Sequence, residues 1–140
     1  MREIKIIMVH CTDTPEGREV TGEEVDSWHR QRGFAMAGYH YLVHLDGTTE
    51  HLRPLYTKAA ACKKGNANAN GIHVCYVGGR NNQGFTADTR TEAQKTALLL
   101  LLHELKKRYP QARIIGHRDF DNGKACPCFD AQSEYGILNI

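Results

Sequence analysis

The most informative segment of this chain is Ala112-Arg-Ile-Ile-Gly-His-Arg-Asp-Phe-Asp-Asn-Gly-Lys-Ala-Cys-Pro-Cys128. Residues 112–116 have the pattern of a short strand, which delivers His117 at its carboxyl end. A lysine, Lys124, and two thiols, Cys126 and Cys128, follow on one loop. The segment therefore combines a sheet strand with residue types that bind metals and carry charge.

A second strand ending in a histidine lies at the other end of the chain. Residues 4–10 are apolar on both faces apart from Lys5 and His10, as expected for an interior strand. Ligands of open α/β sheets gather outside the carboxyl ends of strands. If the first and last strands are parallel neighbours, His10 and His117 meet.

The segments between these two strands supply the rest of the predicted fold. Capping-box spacing at Thr21 and Thr91 predicts two helix starts, and Asp46-Gly47 predicts a hairpin. The predicted elements are helices over about Glu23–Arg32 and from Thr91 to about Arg108, and strands over Tyr39–His44, Thr48–Leu52, Ile72–Val77 and Ala112–Gly116. The order β-α-β-β-β-α-β predicts an α/β fold, a single domain with a mixed β-sheet flanked by helices. Residues 63–71 are expected to form a mobile surface loop.

Composition narrows the classes of partner and compartment. The chain has 140 residues, which suits one domain, and its net charge of +2 argues against a nucleic-acid partner. No apolar run approaches the roughly 20 residues of a membrane span, so no membrane insertion is expected. Five cysteines without an export signal indicate metal binding or burial rather than a disulfide framework. A monomer is expected.

The residue types and spacing suggest a zinc site. Cys126 is nine positions after His117, enough for the loop to fold back towards His10. A His, His, Cys set leaves one tetrahedral position open, which is typical of catalytic zinc. Simpler explanations exist for each residue, because strand-end histidines are common and the thiols of Cys126 and Cys128 could be buried or form a redox pair. By reach alone, either thiol could be the third ligand.

Six motifs in this order resemble the type 2 N-acetylmuramoyl-L-alanine amidases, the family of the phage T7 lysozyme and similar prophage enzymes. The motifs are His10-Cys-Thr-Asp-Thr-Pro, Gly38-Tyr-His-Tyr, Asp46-Gly-Thr, Val77-Gly-Gly, Gly116-His-Arg-Asp and Lys124-Ala-Cys-Pro-Cys-Phe-Asp130. The resemblance extends from Arg2 to about Asp130. Peptidoglycan recognition proteins share this fold, and some of them only bind.

The resemblance implies a zinc-dependent endolysin that cuts the amide between the lactyl group of N-acetylmuramic acid and L-alanine in peptidoglycan. It implies that residues 1–140 form one amidase domain with Zn²⁺ held by His10, His117 and Cys126. Tyr39 and Lys124 match the catalytic pair, although a strand tyrosine and a solvated loop lysine are the ordinary roles for such residues. Synthesis in a bacterial cytoplasm is expected, with access to the wall through a separate release system.

Two departures from the family pattern leave alternatives open. Relatives carry a histidine in the segment before the middle strand, where this chain has Ala61, and a glycine where it has His73. A noncatalytic peptidoglycan-binding protein is therefore an alternative, and a small zinc or thiol regulatory protein is a third. His40 lacks motif support and is left out of the catalytic set. Five other histidines are expected to be surface or packing residues: His29, His44, His51, His73 and His103.

Overall fold

A five-stranded mixed sheet forms the centre of the computed structural model, which describes residues 2–139. Its strands, in chain order, are β1 (Ile6–Cys11), β3 (Tyr41–Val43), β4 (Thr49–His51), β5 (Gly71–Tyr76) and β7 (Arg113–Gly116). Across the sheet the order is β4-β3-β5-β1-β7, with only β4 antiparallel to its neighbour. A separate parallel pair joins β2 (Thr14–Pro15) to β6 (Gly79–Arg80). The first and last strands of this sheet, β1 and β7, are parallel neighbours, which is the condition under which His10 and His117 were expected to meet.

Helices cover both faces of the sheet, as predicted. They are α1 (Gly22–Gln31), α2 (Ala67–Asn70), α3 (Glu92–Arg108), α4 (His117–Phe120) and α5 (Ala131–Tyr135), followed by a 3₁₀ turn at Gly136–Asn139. Both predicted capping boxes are present, with Thr21 and Thr91 each accepting from a backbone N–H three residues on. Helix α1 begins and ends one residue earlier than predicted. Within residues 2–139, no helix has both the length and the apolar character needed to cross a membrane.

Alternation along β1 divides its side chains between two layers. Ile7 and Val9 join the larger core, where α3 contributes Leu98 and Leu102 and α5 contributes Tyr135. Met8 belongs to a smaller cluster on the opposite side with Ala67 of α2, and Val25 of α1 packs against Leu42 and Cys75. Since His10 is two residues from Met8, it shares this second side, between α1 and α2.

Several short elements differ from the sequence prediction. The expected mobile loop over residues 63–71 contains α2, and Gly71 is the first residue of β5. Two backbone N–H groups, those of Ala61 and Cys62, donate to the side-chain oxygen of Asn68, at 2.9 and 3.0 Å. Contacts of this kind come from the folded chain, so the low-complexity composition of the segment did not reveal them.

Candidate functional site

Three side chains predicted as metal ligands meet at the carboxyl ends of β1 and β7. One ligand atom each from His10, His117 and Cys126 lies within 4.8 Å of the other two. Strands β1 and β7 pair with Val9 opposite Gly116, so the next residue of each strand is a histidine. Their ring centroids are 4.7 Å apart. The parallel register thus brings together two residues more than 100 positions apart in sequence.

The loop carrying Cys126 is held in place by buried contacts. The Cys126 carbonyl accepts the Arg118 N–H at 2.8 Å, and Tyr76 Oη donates to the Pro127 carbonyl at 2.7 Å. Phe129 is only 8% exposed and packs in the larger core. A Cβ at Gly116 would lie 2.8 Å from Pro127, so only glycine lets the loop approach this closely.

The two loop cysteines have different surroundings. Cys126 Sγ lies 3.8 Å from His10 Nδ1 and accepts the backbone N–H of Cys11 at 3.2 Å. Cys128 Sγ instead lies 3.8 Å from the Cys11 thiol and is outside the three-residue group. The geometry therefore favours Cys126 as the third ligand, a choice that reach along the chain had left open.

His10 has a second partner that the sequence analysis missed. Its Nε2 atom lies 2.8 Å from Nδ1 of His73, whose own Nε2 lies 2.8 Å from the Ala67 carbonyl. His73 is fully buried, so the expectation that it was a surface or packing residue overlooked its contact with a candidate ligand. The available signal was a polar residue at an interior position of an otherwise apolar strand.

Burial keeps the histidines of the site neutral. It lowers the pKa of His10 well below the usual value and that of His73 to about 3. Burial and then the positive charge of Lys124 lower the pKa of His117. The Nε2 atom of His117 is buried without a hydrogen-bond partner among residues 2–139. Neutral imidazoles and an unpartnered ring nitrogen suit a metal ligand set, which requires free lone pairs.

Tyr39 lies beside the metal-ligand candidates, on the segment that leads into β3. Its ring centroid is 5.1 Å from that of His10 and 5.3 Å from that of His29. Burial raises the pKa of Tyr39 well above its ordinary value, so the phenol keeps its proton at neutral pH. His29, also expected to be a surface or packing residue, is buried and accepts the Gly38 N–H at 2.6 Å. It thereby fixes the backbone next to Tyr39.

These groups line one cavity of about 630 Å³. Lys124 is exposed on its wall, and Ala61 and His29 also line the cavity. The cavity lining also includes four more basic residues: Arg32, Lys63, Lys64 and Arg80. The structure thus brings all five predicted site residues to a single cavity large enough for a small organic group and part of a chain.

The sequence is similar to those of known proteins. Residues 1–129 match the family model described as N-acetylmuramoyl-L-alanine amidase. The chain is 37% identical over 131 residues to an endolysin of Enterobacteria phage K11, covering 94% of this chain and 85% of that protein. It is 36% identical over 124 residues to an endolysin of Escherichia phage T7, covering 89% and 80%.

Solved structures give the same picture of the fold. The endolysin amidase LysCS from Clostridium intestinale is 25% identical, with a TM-score of 0.82 over 99% of this chain and 86% of that one. Drosophila PGRP-LB is 16% identical, with a TM-score of 0.78 over 97% and 81%, a likeness of fold alone.

Proposed function

The chain belongs to the N-acetylmuramoyl-L-alanine amidase family, and we propose that it is a zinc-dependent endolysin. Its substrate would be bacterial peptidoglycan, cut at the amide between the lactyl group of N-acetylmuramic acid and L-alanine. The family model supports this reaction, and the endolysin relatives support action on the cell wall. Synthesis in the bacterial cytoplasm and release by a separate system are part of the same proposal.

The convergence of His10, His117 and Cys126 on one cavity carries the proposal. Two imidazoles and one thiolate match the nitrogen and sulfur donors that Zn²⁺ prefers, and three protein ligands leave a coordination position for water or substrate. The unpartnered Nε2 of His117 supports a metal at this place, because a buried polar atom otherwise has a hydrogen-bond partner. When bound, zinc would lower the pKa of the attacking water and polarise the scissile carbonyl.

Two further side chains supply the hydrogen bonds and charge that the reaction needs. Tyr39 keeps its phenolic proton, so it is suited to donating a hydrogen bond to the carbonyl oxygen as negative charge develops there. Lys124 adds a positive charge from the cavity wall. We propose that the pair stabilises the oxyanion, with Tyr39 also orienting the water.

The test is incubation of the protein with purified peptidoglycan, first as isolated, then with a chelator, and then with zinc restored. Mass spectrometry of the released material should show stem peptides that begin with L-alanine, and only when metal is present. This product identifies the bond that is cut, which a simple loss of turbidity does not.

Two results would contradict the proposal. Sugar fragments with intact stem peptides would indicate a glycosidase. Intact peptidoglycan despite bound zinc would favour the alternative of a peptidoglycan-binding protein, for which the absence of a histidine at Ala61 on the cavity wall is the relevant observation.

A further inference from the structure

We propose that His73 is a positioning residue that sets the tautomer and orientation of His10, leaving Nδ1 of His10 free to bind the metal. The inference rests on the zinc site of the proposed function and adds a residue at a position where the family pattern has glycine.

The two imidazoles are neighbours because of the register between β1 and β5. Met8 is paired with His73, and His10 is paired with Cys75, so His73 lies diagonally across from His10 on the same side of the sheet. The His10 and His73 ring centroids are 5.1 Å apart, and the Nε2–Nδ1 distance of 2.8 Å is that of a hydrogen bond. Both residues are buried, which removes water as a competing partner.

The direction of the hydrogen bond between His10 and His73 follows from the contact between His73 and the Ala67 carbonyl. A backbone carbonyl only accepts, so the 2.8 Å contact with Ala67 requires the proton of neutral His73 to be on Nε2. Nδ1 of His73 then has a lone pair and accepts the Nε2–H of His10. A neutral imidazole has one N–H, so Nδ1 of His10 is left with its lone pair. That atom is the one facing Cys126 Sγ, at 3.8 Å.

The surroundings of His73 are shaped to hold its ring in this orientation. A Cβ at Gly71 would lie 2.8 Å from Nε2 of His73 and 2.4 Å from the Ala67 carbonyl, so the absence of a side chain at 71 keeps the contact open. The backbone N–H of His73, not its ring, donates to Nδ1 of His40 at 3.0 Å, so this contact does not set the ring orientation. His40 is equally buried but has no hydrogen bond to His10, which makes it a matched control.

A hydrogen-bond partner of this kind raises the affinity of a site for its metal, because it fixes the ring of the ligating histidine and increases its basicity. Ala67 is on α2, the helix that replaced the predicted loop. Helix α2 thus acts on the site, because its Ala67 carbonyl sets the proton position on His73 and, through His73, on His10.

The first experiment measures the tautomers directly in the metal-free protein. Long-range ¹H–¹⁵N correlation spectra should show protonated Nε2 and unprotonated Nδ1 for both His10 and His73. A proton on Nδ1 of His10 would overturn the proposal. This reading does not depend on zinc binding or on amidase activity, so it remains decisive if the proposed function fails.

The second experiment measures zinc affinity by competition with a chromophoric chelator in the full-length protein. His73→Leu, which has no acceptor, should weaken zinc binding by about 10- to 100-fold, the usual effect of removing a ligand's outer partner. His73→Asn, whose side-chain oxygen can accept from His10, should recover most of the affinity. His40→Leu should leave affinity within about threefold of the parent, because His40 does not contact the ligand.

Two outcomes would contradict the positioning role. Equal zinc affinity in His73→Leu and the parent would show that the contact has no effect on the metal. Equal weakening in His73→Leu and His40→Leu, tracking their loss of thermal stability, would show a purely structural role for both. Failure of the parent to bind zinc would refute the proposed function instead, and the tautomer spectra would still test the hydrogen-bond direction.

Discussion

Acidification should destabilise the metal-free protein strongly, because two buried histidines fold in the neutral form. Burial is the main cause that lowers the pKa of His40 to about 4 and that of His73 to about 3. In the unfolded chain both titrate near the ordinary value of about 6.5. Between these values the unfolded state binds more protons than the folded state, so stability is full above pH 6.5 and declines as pH falls.

The size of the effect follows from the same pKa values. At about pH 5 each of these histidines should have lost about 2 kcal/mol of stabilisation, or about 4 kcal/mol for the pair. The lowered pKa of His10 adds to this loss. His44 opposes it: burial alone would lower its pKa, but hydrogen bonds to Glu19 and Glu50 raise it overall. The total free energy of unfolding of a domain of this size is only about 5–15 kcal/mol, so acidification should remove a large part of it.

Urea unfolding in the presence of a chelator, at about pH 7.5 and pH 5, measures the difference directly. His73→Leu is the matched control, since removal of one titrating group should reduce the pH dependence by about 2 kcal/mol. A free energy of unfolding that is the same at both pH values in the parent protein would refute the reasoning, as would an unchanged pH dependence in the variant.

Three further sets of substitutions test the site and its support. Cys126→Ser should lose zinc and activity whereas Cys128→Ser keeps both, and equal zinc content in Cys126→Ser and the parent by atomic emission would exclude Cys126 as a ligand. Tyr39→Phe and Lys124→Ala should each lower the rate of stem-peptide release by about 10²- to 10³-fold with zinc content unchanged, as expected for loss of one oxyanion donor; rates near that of the parent would remove them from the catalytic pair. Arg90→Met should lower the free energy of unfolding by about 2 to 3 kcal/mol in urea, because the buried guanidinium bonds two partly exposed carboxylates and covers the Phe129 ring at 3.5 Å. A change below about 0.5 kcal/mol would show that the contacts of Arg90 with the two carboxylates and Phe129 do not stabilise the fold.

Much of the fold was predictable because its signals are local. The capping boxes at Thr21 and Thr91 use contacts within four residues, so the sequence alone locates both helix starts. The Asp46-Gly47 turn predicts the β3–β4 hairpin in the same way. The apolar runs ending in His10 and His117 indicate strands, and the rule that ligands gather at the carboxyl ends of strands then places both histidines at one edge of the sheet.

The family resemblance extended this prediction to the full set of candidate residues. Motif order connected Tyr39, Lys124 and Cys126 with the two histidines, although no local pattern joins residues so far apart. The structure brings all five to one cavity, while their roles in metal binding and catalysis stay proposals.

The sequence by itself determined the main helices and strands, the amidase family and the candidate site, because periodicity, caps and motifs each depend on residues close together in the chain. The family motif pointed to Cys126 rather than Cys128, and only the tertiary structure adds a physical reason, since Cys126 lies beside His10 whereas Cys128 lies beside Cys11. The role proposed for His73 likewise depends on contacts that only the tertiary structure shows. A buried histidine acquires its partners from the register between strands and from a carbonyl on α2, and no spacing along the chain encodes those contacts.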